Sequence, residues 1–199
     1  YGLKLPILFI IKGEPGGLIE KSEFKIYPSG HYYAIQKKAW MDASVWEWYL
    51  WIVLAERVEG ESLLILDNFE CHVSKEALET SQMVGFNAVP LPAKATSHCQ
   101  SLEFSNMAPF KQHLRELWIA EDISEAEGGD QVPAKVKRIT PINRVMKASD
   151  MVTPEEVRGS FFKAIPKSCM GQVRLCRTNE WFFASISFLN YLHLLNDSS

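Results

Sequence analysis

The sequence predicts an α/β fold in which strands alternate with helices in a layered domain, and three observations carry that prediction. A continuous apolar run, Leu5–Ile11, closes on Lys12-Gly13 and has the form of a buried strand. A second strand-like run, Ser62–Leu66, ends on Asp67-Asn68 and leads into a helical segment that opens at Ser74. Apolar residues at helical spacing mark two further helices, one around Val45–Val53 and one around Met107–Trp118.

Taken in order, Glu14-Pro15-Gly16-Gly17 is loop chemistry after the first strand. Phe24–Tyr27 and His31–Ile35 are candidate short strands on either side of a Pro28-Ser29-Gly30 turn. Ser44 followed by Glu47 reads as a capping box. The helix it opens carries Val45, Trp48, Tyr49, Ile52 and Val53 as its apolar stripe. Trp46 and Trp51 fall off that stripe, which predicts burial on more than one side. The four tryptophans between Trp40 and Trp51 then read as core rather than as a base-stacking platform. Ser74 caps a helix over Lys75–Val84, and Gly85 ends it. Ala88–Pro92 is a short strand, and the turn-rich Ala93–Gln100 leads to a helix over Glu103–Ala120. In that helix Pro109 is tolerated only near the first turns. Glu121–Gly129, acidic and then glycine-rich, reads as an exposed linker. Lys135, Lys137, Arg138, Arg144 and Lys147 form a basic stretch, and Thr153-Pro154 opens a last helix with Thr as cap.

Composition bounds the class. With 199 residues, 47% hydrophobic and 12% aromatic, the chain can fill one ordinary globular core. The formal net charge of −3 gives no bulk attraction for nucleic acid. Cys71, Cys99, Cys169 and Cys176 lie far apart without a CxxC pair and read as reduced thiols of an intracellular protein. Cys71-His72 and His98-Cys99 fit no familiar zinc spacing. The apolar tail Trp181–Leu195 falls short of the ~20 residues that span a bilayer, so a buried helix or strand is expected there. No GxSxG, GxGxxG or P-loop is present, which argues against a hydrolase of that type or a nucleotide-binding domain.

Two carboxylates stand where chemistry could gather. Asp67 ends a buried strand, where open α/β sheets collect ligands, although Asp-Asn is also ordinary turn chemistry. Glu103 opens a helix, where an acid is favoured by the helix dipole alone. Together, a strand-end and a helix-start carboxylate can reach Mg²⁺, which takes few protein oxygens and keeps several waters.

The flanking residues sharpen this. Leu66-Asp67-Asn68-Phe69-Glu70-Cys71-His72 resembles the "LDN…H" block of pogo/Tigger/jerky-type DDE transposases, and Pro90–Glu103 resembles their "PLPPNST…QPLD" block. Ala108-Pro109-Phe110-Lys111 is similar to "GPFK", Lys4–Gly13 to the "KLPP…FKG" strand, and Ala39-Trp40-Met41 to "AWM". Val152–Ile165 resembles the closing "T.E.IR.SF.KAI" helix. Six blocks in register make this resemblance specific over about residues 2–166.

The resemblance implies a ribonuclease H-like fold, two divalent ions (Mg²⁺ or Mn²⁺), DNA as partner and nuclear location. It also implies cutting and joining of transposon ends, with Asp67 and Glu103 as catalytic metal ligands. His72 matches the family block without an assigned role. Glu103 stands where this family has Asp, and Ser101 where it has Pro. Tyr1-Gly2 aligns with a turn after the family's second strand, so the fold is expected to be partial, with the first two strands and the first catalytic aspartate missing. The Leu5–Ile11 strand is then expected to lack its partner, the sheet to be split and the fragment to be inactive. Residues 1–166 are read as the partial catalytic domain and 167–199 as a divergent tail. The alternative is a degenerate or domesticated remnant that binds nucleic acid without cutting it; a homo-oligomer is compatible with either, and a membrane role is not expected.

Overall fold

The computed structural model describes residues 4–57, 62–66, 68–90, 107–125 and 133–164. Strand β1, Leu8–Lys12, buries its first four residues and exposes Lys12. It pairs in parallel with β2, Tyr32–Gln36, Leu8 lying opposite Tyr32 and Lys12 opposite Gln36. Contrary to the expectation of an unpaired strand, the Leu5–Ile11 run therefore has a ladder partner nearby in the chain. The sheet is nonetheless divided: β1–β2 forms one two-stranded unit, and β3 (Ser62–Leu66) with β4 (Phe86–Pro90) forms another, also parallel.

The β1–β2 connection holds one correction. Phe24–Ile26 is a 3₁₀ turn that continues a wide helical turn at Ile19–Glu23, not a strand. Tyr33 decides this. Its ring takes Phe24 at 5.7 Å and Tyr27 at 5.0 Å on one side. Residues three apart share a side in a helical turn, whereas a strand would send them to opposite faces.

Helix α1, Ala43–Tyr49, continues through a widened turn at Leu50–Leu54 and a 3₁₀ turn at Ala55–Arg57. Its cap is Asp42, whose Oδ1 accepts from Val45 N at 2.9 Å; Ser44 lies inside the first turn. The buried stripe is Val45, Trp46, Tyr49, Leu50, Val53 and Leu54, a single side of the helix. Trp46 is 1% exposed, whereas Trp48, Trp51 and Ile52 stand at 37%, 44% and 42%. Trp40, at 40%, is likewise outside the core, so one tryptophan of the four, not all, serves as core.

After β3 come α2, Glu70–Val73, and α3, Lys75–Val84. Ser74 Oγ accepts from Ala77 N at 3.1 Å, and Gly85 ends α3 at φ 103°, a left-handed conformation that suits glycine. Helix α4, Ala108–Glu125, carries Pro109 as its second residue, where the missing N–H costs nothing. It runs on through Glu121–Glu125, where a linker was expected. The reason is distant in sequence: Glu121 accepts from Arg144 Nε at 2.7 Å, and the same guanidinium lies 5.1 Å from the Trp118 ring. Helix α5, Ala134–Met151, contains the whole basic stretch, and Lys4 Nζ donates to Ser149 O and Val152 O at its C-terminal end. Helix α6, Pro154–Ala164, opens with reciprocal bonds: Thr153 N donates to Glu156 Oε2 at 2.7 Å and Glu156 N to Thr153 Oγ1 at 3.2 Å.

Strand β1 is central to the core. Leu8 and Ile10 join Trp46, Tyr49, Leu50, Leu64, Leu66 and Phe86 in one cluster. Ile7, Phe9 and Ile11 join Phe110, Leu114, Ile142 and Val145 in another. Alternate side chains leave a strand on opposite faces, so β1 is covered by β3–β4 and α1 on one side and by α4–α5 on the other. The result is a layered mixture of helices and strands, as the alternating pattern predicts. Among the described residues no helix is long and apolar enough to cross a membrane. The tail Trp181–Leu195 lies outside the described residues, as does the whole segment 167–199.

Candidate functional site at the end of strand β3

Strand β3 buries Ser62, Leu64 and Leu66 and leaves Leu63 and Ile65 half-buried. It runs parallel to β4 with Leu66 opposite Pro90, so both strands end at the same edge. That carboxyl edge is where open α/β sheets bind ligands, because the loops leaving the strands converge there. Asp67 and Glu103 both lie outside the described residues, and no distance between them is given. Their neighbours are described. Leu66 is 1% exposed and pins the strand end ahead of Asp67; Met107 and Phe110, 3% and 0% exposed, pin the start of α4 after Glu103.

The turn beyond β3 is closely held. Phe69 O accepts from His72 N at 2.9 Å and from Val73 N at 3.3 Å, which closes α2 immediately after Asn68. Cys71 Sγ donates to Met41 O at 3.9 Å. The His72 ring is fully buried, with its centroid 4.5 Å from the Trp46 indole and 5.3 Å from the Phe69 ring, edge-on to the latter. Sequence alone left His72 without a role, and the aromatic residues that surround it were not recognisable as its neighbours. Cys71-His72 sits on a helix rather than a strand. Among the described residues no group of three His, Cys, Asp or Glu side chains could hold a metal ion. His98-Cys99 lies outside them.

The basic stretch is less available than its composition suggests. Arg138 donates to Glu23 through Nε at 2.9 Å and Nη2 at 2.5 Å, and Arg144 pairs with Glu121. Two of its five cations are therefore engaged within the molecule, while Lys135, Lys137 and Lys147 remain exposed on α5. The Arg138 hydrogen bond holds the Glu23 carboxyl below its ordinary range against the opposing effect of burial. Burial, reinforced by the bond to Glu23, pushes the neighbouring Tyr27 phenol up to about 12.

Comparison with known proteins adds one finding. Residues 2–161 match the family described as DDE superfamily endonuclease. No curated protein and no solved structure matches the chain.

Proposed function

Because the chain belongs to the DDE superfamily endonuclease family, we propose that it is part of a metal-dependent DNA-cleaving and -joining domain of the pogo/Tigger/jerky type, with a ribonuclease H-like fold. In this reading Asp67 and Glu103 are two of three metal-binding carboxylates. The third comes from a preceding strand in a longer protein, so residues 1–199 alone do not cut DNA. The observation that carries the reading is the parallel β3–β4 pair, which ends with Leu66 opposite Pro90 immediately before the two motif blocks. The family implies a DNA substrate, and nuclear location follows with it.

The donor set suits Mg²⁺ or Mn²⁺, hard ions that prefer carboxylate oxygen over nitrogen or sulfur. When bound, two such ions activate water or a 3′-hydroxyl and stabilise the leaving oxygen. What the chain supplies is position. Asp67 projects from a strand end that Leu66 anchors in the core, and Glu103 precedes a helix that Met107 and Phe110 anchor. Glu at position 103 puts its carboxylate one methylene further out than the family's Asp, a change that oxygen ligation tolerates. The exposed Lys135, Lys137 and Lys147 are candidate contacts to the phosphate backbone.

The test is a supercoiled-plasmid nicking assay with Mg²⁺ and Mn²⁺, run on residues 1–199 and on a protein extended upstream through an aspartate-bearing strand. The expected result is nicking by the extended protein that Asp67→Asn and Glu103→Gln each abolish, and none by residues 1–199. Nicking by residues 1–199 that disappears in Asp67→Ala would overturn the reading of an incomplete site.

A further inference from the structure

We propose that His72 is a positioning residue for Asp67: its buried imidazole, held between Trp46 and Phe69, fixes the turn that follows β3. The inference rests on the reading of Asp67 as a metal ligand and deepens it.

The argument begins with cost. His72 is 0% exposed and touches a cluster otherwise built from Leu, Ile, Val, Met, Phe and Tyr side chains. A polar ring in such surroundings is expensive to bury, and a position needed only to fill volume is served better by Phe or Leu. Its neighbour repeats the pattern. Trp46 is 1% exposed, and among the described residues its indole Nε1 has no hydrogen-bond partner. Two nitrogen-bearing rings therefore lie face to face, centroids 4.5 Å apart, inside an apolar core.

Placement gives that cost a purpose. The two rings come from different layers, Trp46 from α1 and His72 from α2, and Phe69 from the turn itself closes the third side at 5.3 Å. Phe69 also supplies the carbonyl that His72 N and Val73 N bond. The box therefore grips both the side chain and the backbone of the residue two places beyond Asp67. Cys71, donating to Met41 O from the other side of α2, keeps that short helix from rotating out. A strand-end carboxylate on a loose turn would sample many directions; on this one its approach is restricted. Groups that orient a ligating side chain commonly contribute tenfold or more to metal affinity.

The test uses the full chain, isotopically labelled, with Mn²⁺ as the probe and paramagnetic broadening of the Asn68 amide as the readout. Urea unfolding is measured in parallel. His72→Phe keeps an aromatic ring and removes both nitrogens. The expected result is an unfolding midpoint at or above that of the parent and an Mn²⁺ affinity at Asn68 about tenfold weaker. His72→Gln, which restores a polar nitrogen, recovers part of the affinity. Unchanged broadening in His72→Phe, with broadening lost in Asp67→Asn, overturns the positioning role and leaves the ligand role standing. Unchanged broadening in Asp67→Asn overturns both. Should His72→Phe fail to unfold cooperatively, the parent protein decides: the His72 ring ¹⁵N shifts move on Mg²⁺ titration if the imidazole senses the site. Shifts that stay fixed overturn the proposal.

Discussion

Replacing Glu23 by Gln tests how the β1–β2 connection is fastened to α5. The carboxylate accepts two bonds from Arg138, at 2.9 and 2.5 Å, and a third from Tyr27 Oη at 3.1 Å. Its side chain is only 13% exposed and that of Arg138 29%, so water screens the pair less than it would an ordinary surface bridge. A hydrogen bond to a charged group contributes about 1.5–3 kcal/mol, whereas exposed ion pairs contribute about 0.2–1 kcal/mol. Residual exposure places this pair toward the lower part of the former range, and a loss of about 2 kcal/mol is expected for Glu23→Gln. The assay is urea unfolding of the parent, Glu23→Gln, Arg138→Met and the double variant, which isolates the coupling between the two side chains. The pH dependence supplies a second check. The folded-state carboxyl titrates below its unfolded value of 4.5, so its contribution is complete above that pH and is lost as pH falls through the lower folded value. Parent and Glu23→Gln should therefore converge in acid. A coupling energy near zero at neutral pH, or a difference that persists unchanged in acid, would refute the reasoning.

Two further outcomes follow from the local geometry. His31 Nδ1 accepts from Ile7 N at 3.1 Å, and burial lowers its pKa below 6.5 against a weaker opposing pull from Asp150. The unfolded chain therefore takes up the proton first, and stability falls as pH drops from 6.5 toward the lower folded value; in His31→Gln that loss should disappear from the unfolding midpoints. Asp42→Ala should cost about 1 kcal/mol in urea unfolding, and Ser44→Ala about half of that or less, because Asp42 bonds the Val45 amide. Equal costs would show that the cap has been misassigned.

The parts of this fold legible in the sequence are those decided locally. Ser74 and Gly85 bracket α3 because a hydroxyl cap and a left-handed terminus need only neighbouring backbone. Thr153 and Pro154 open α6 for the same reason. Phe24–Tyr27 was not legible as a turn: aromatics suit strands equally well, and Tyr33 settles the matter only after β2 has folded. Glu121–Glu125 looks like linker until Arg144 arrives to pair with Glu121. In α1 the apolar residues surround so much of the helix that spacing fits two stripes; burial of Trp46 rather than Trp48 depends on His72 and the sheet. The candidate site divides in the same way. Asp67 and Glu103 were found by motif, and the strand that ends before Asp67 by its apolar run. The box around His72 joins residues from α1 and the β3–α2 turn, a proximity that no sequence spacing encodes.

Strand β1 has one property that reaches past its own five residues. Its even-numbered side chains answer to one core and its odd-numbered ones to the other, so the ribbon acts as a common wall between two rooms. A shift of Phe9 toward α5 necessarily displaces the backbone that carries Leu8 and Ile10 against Trp46 and Leu66. Whatever loads the α4–α5 side, a nucleic-acid backbone on its lysines included, is thereby transmitted across a single thickness of chain to the aromatic box behind β3.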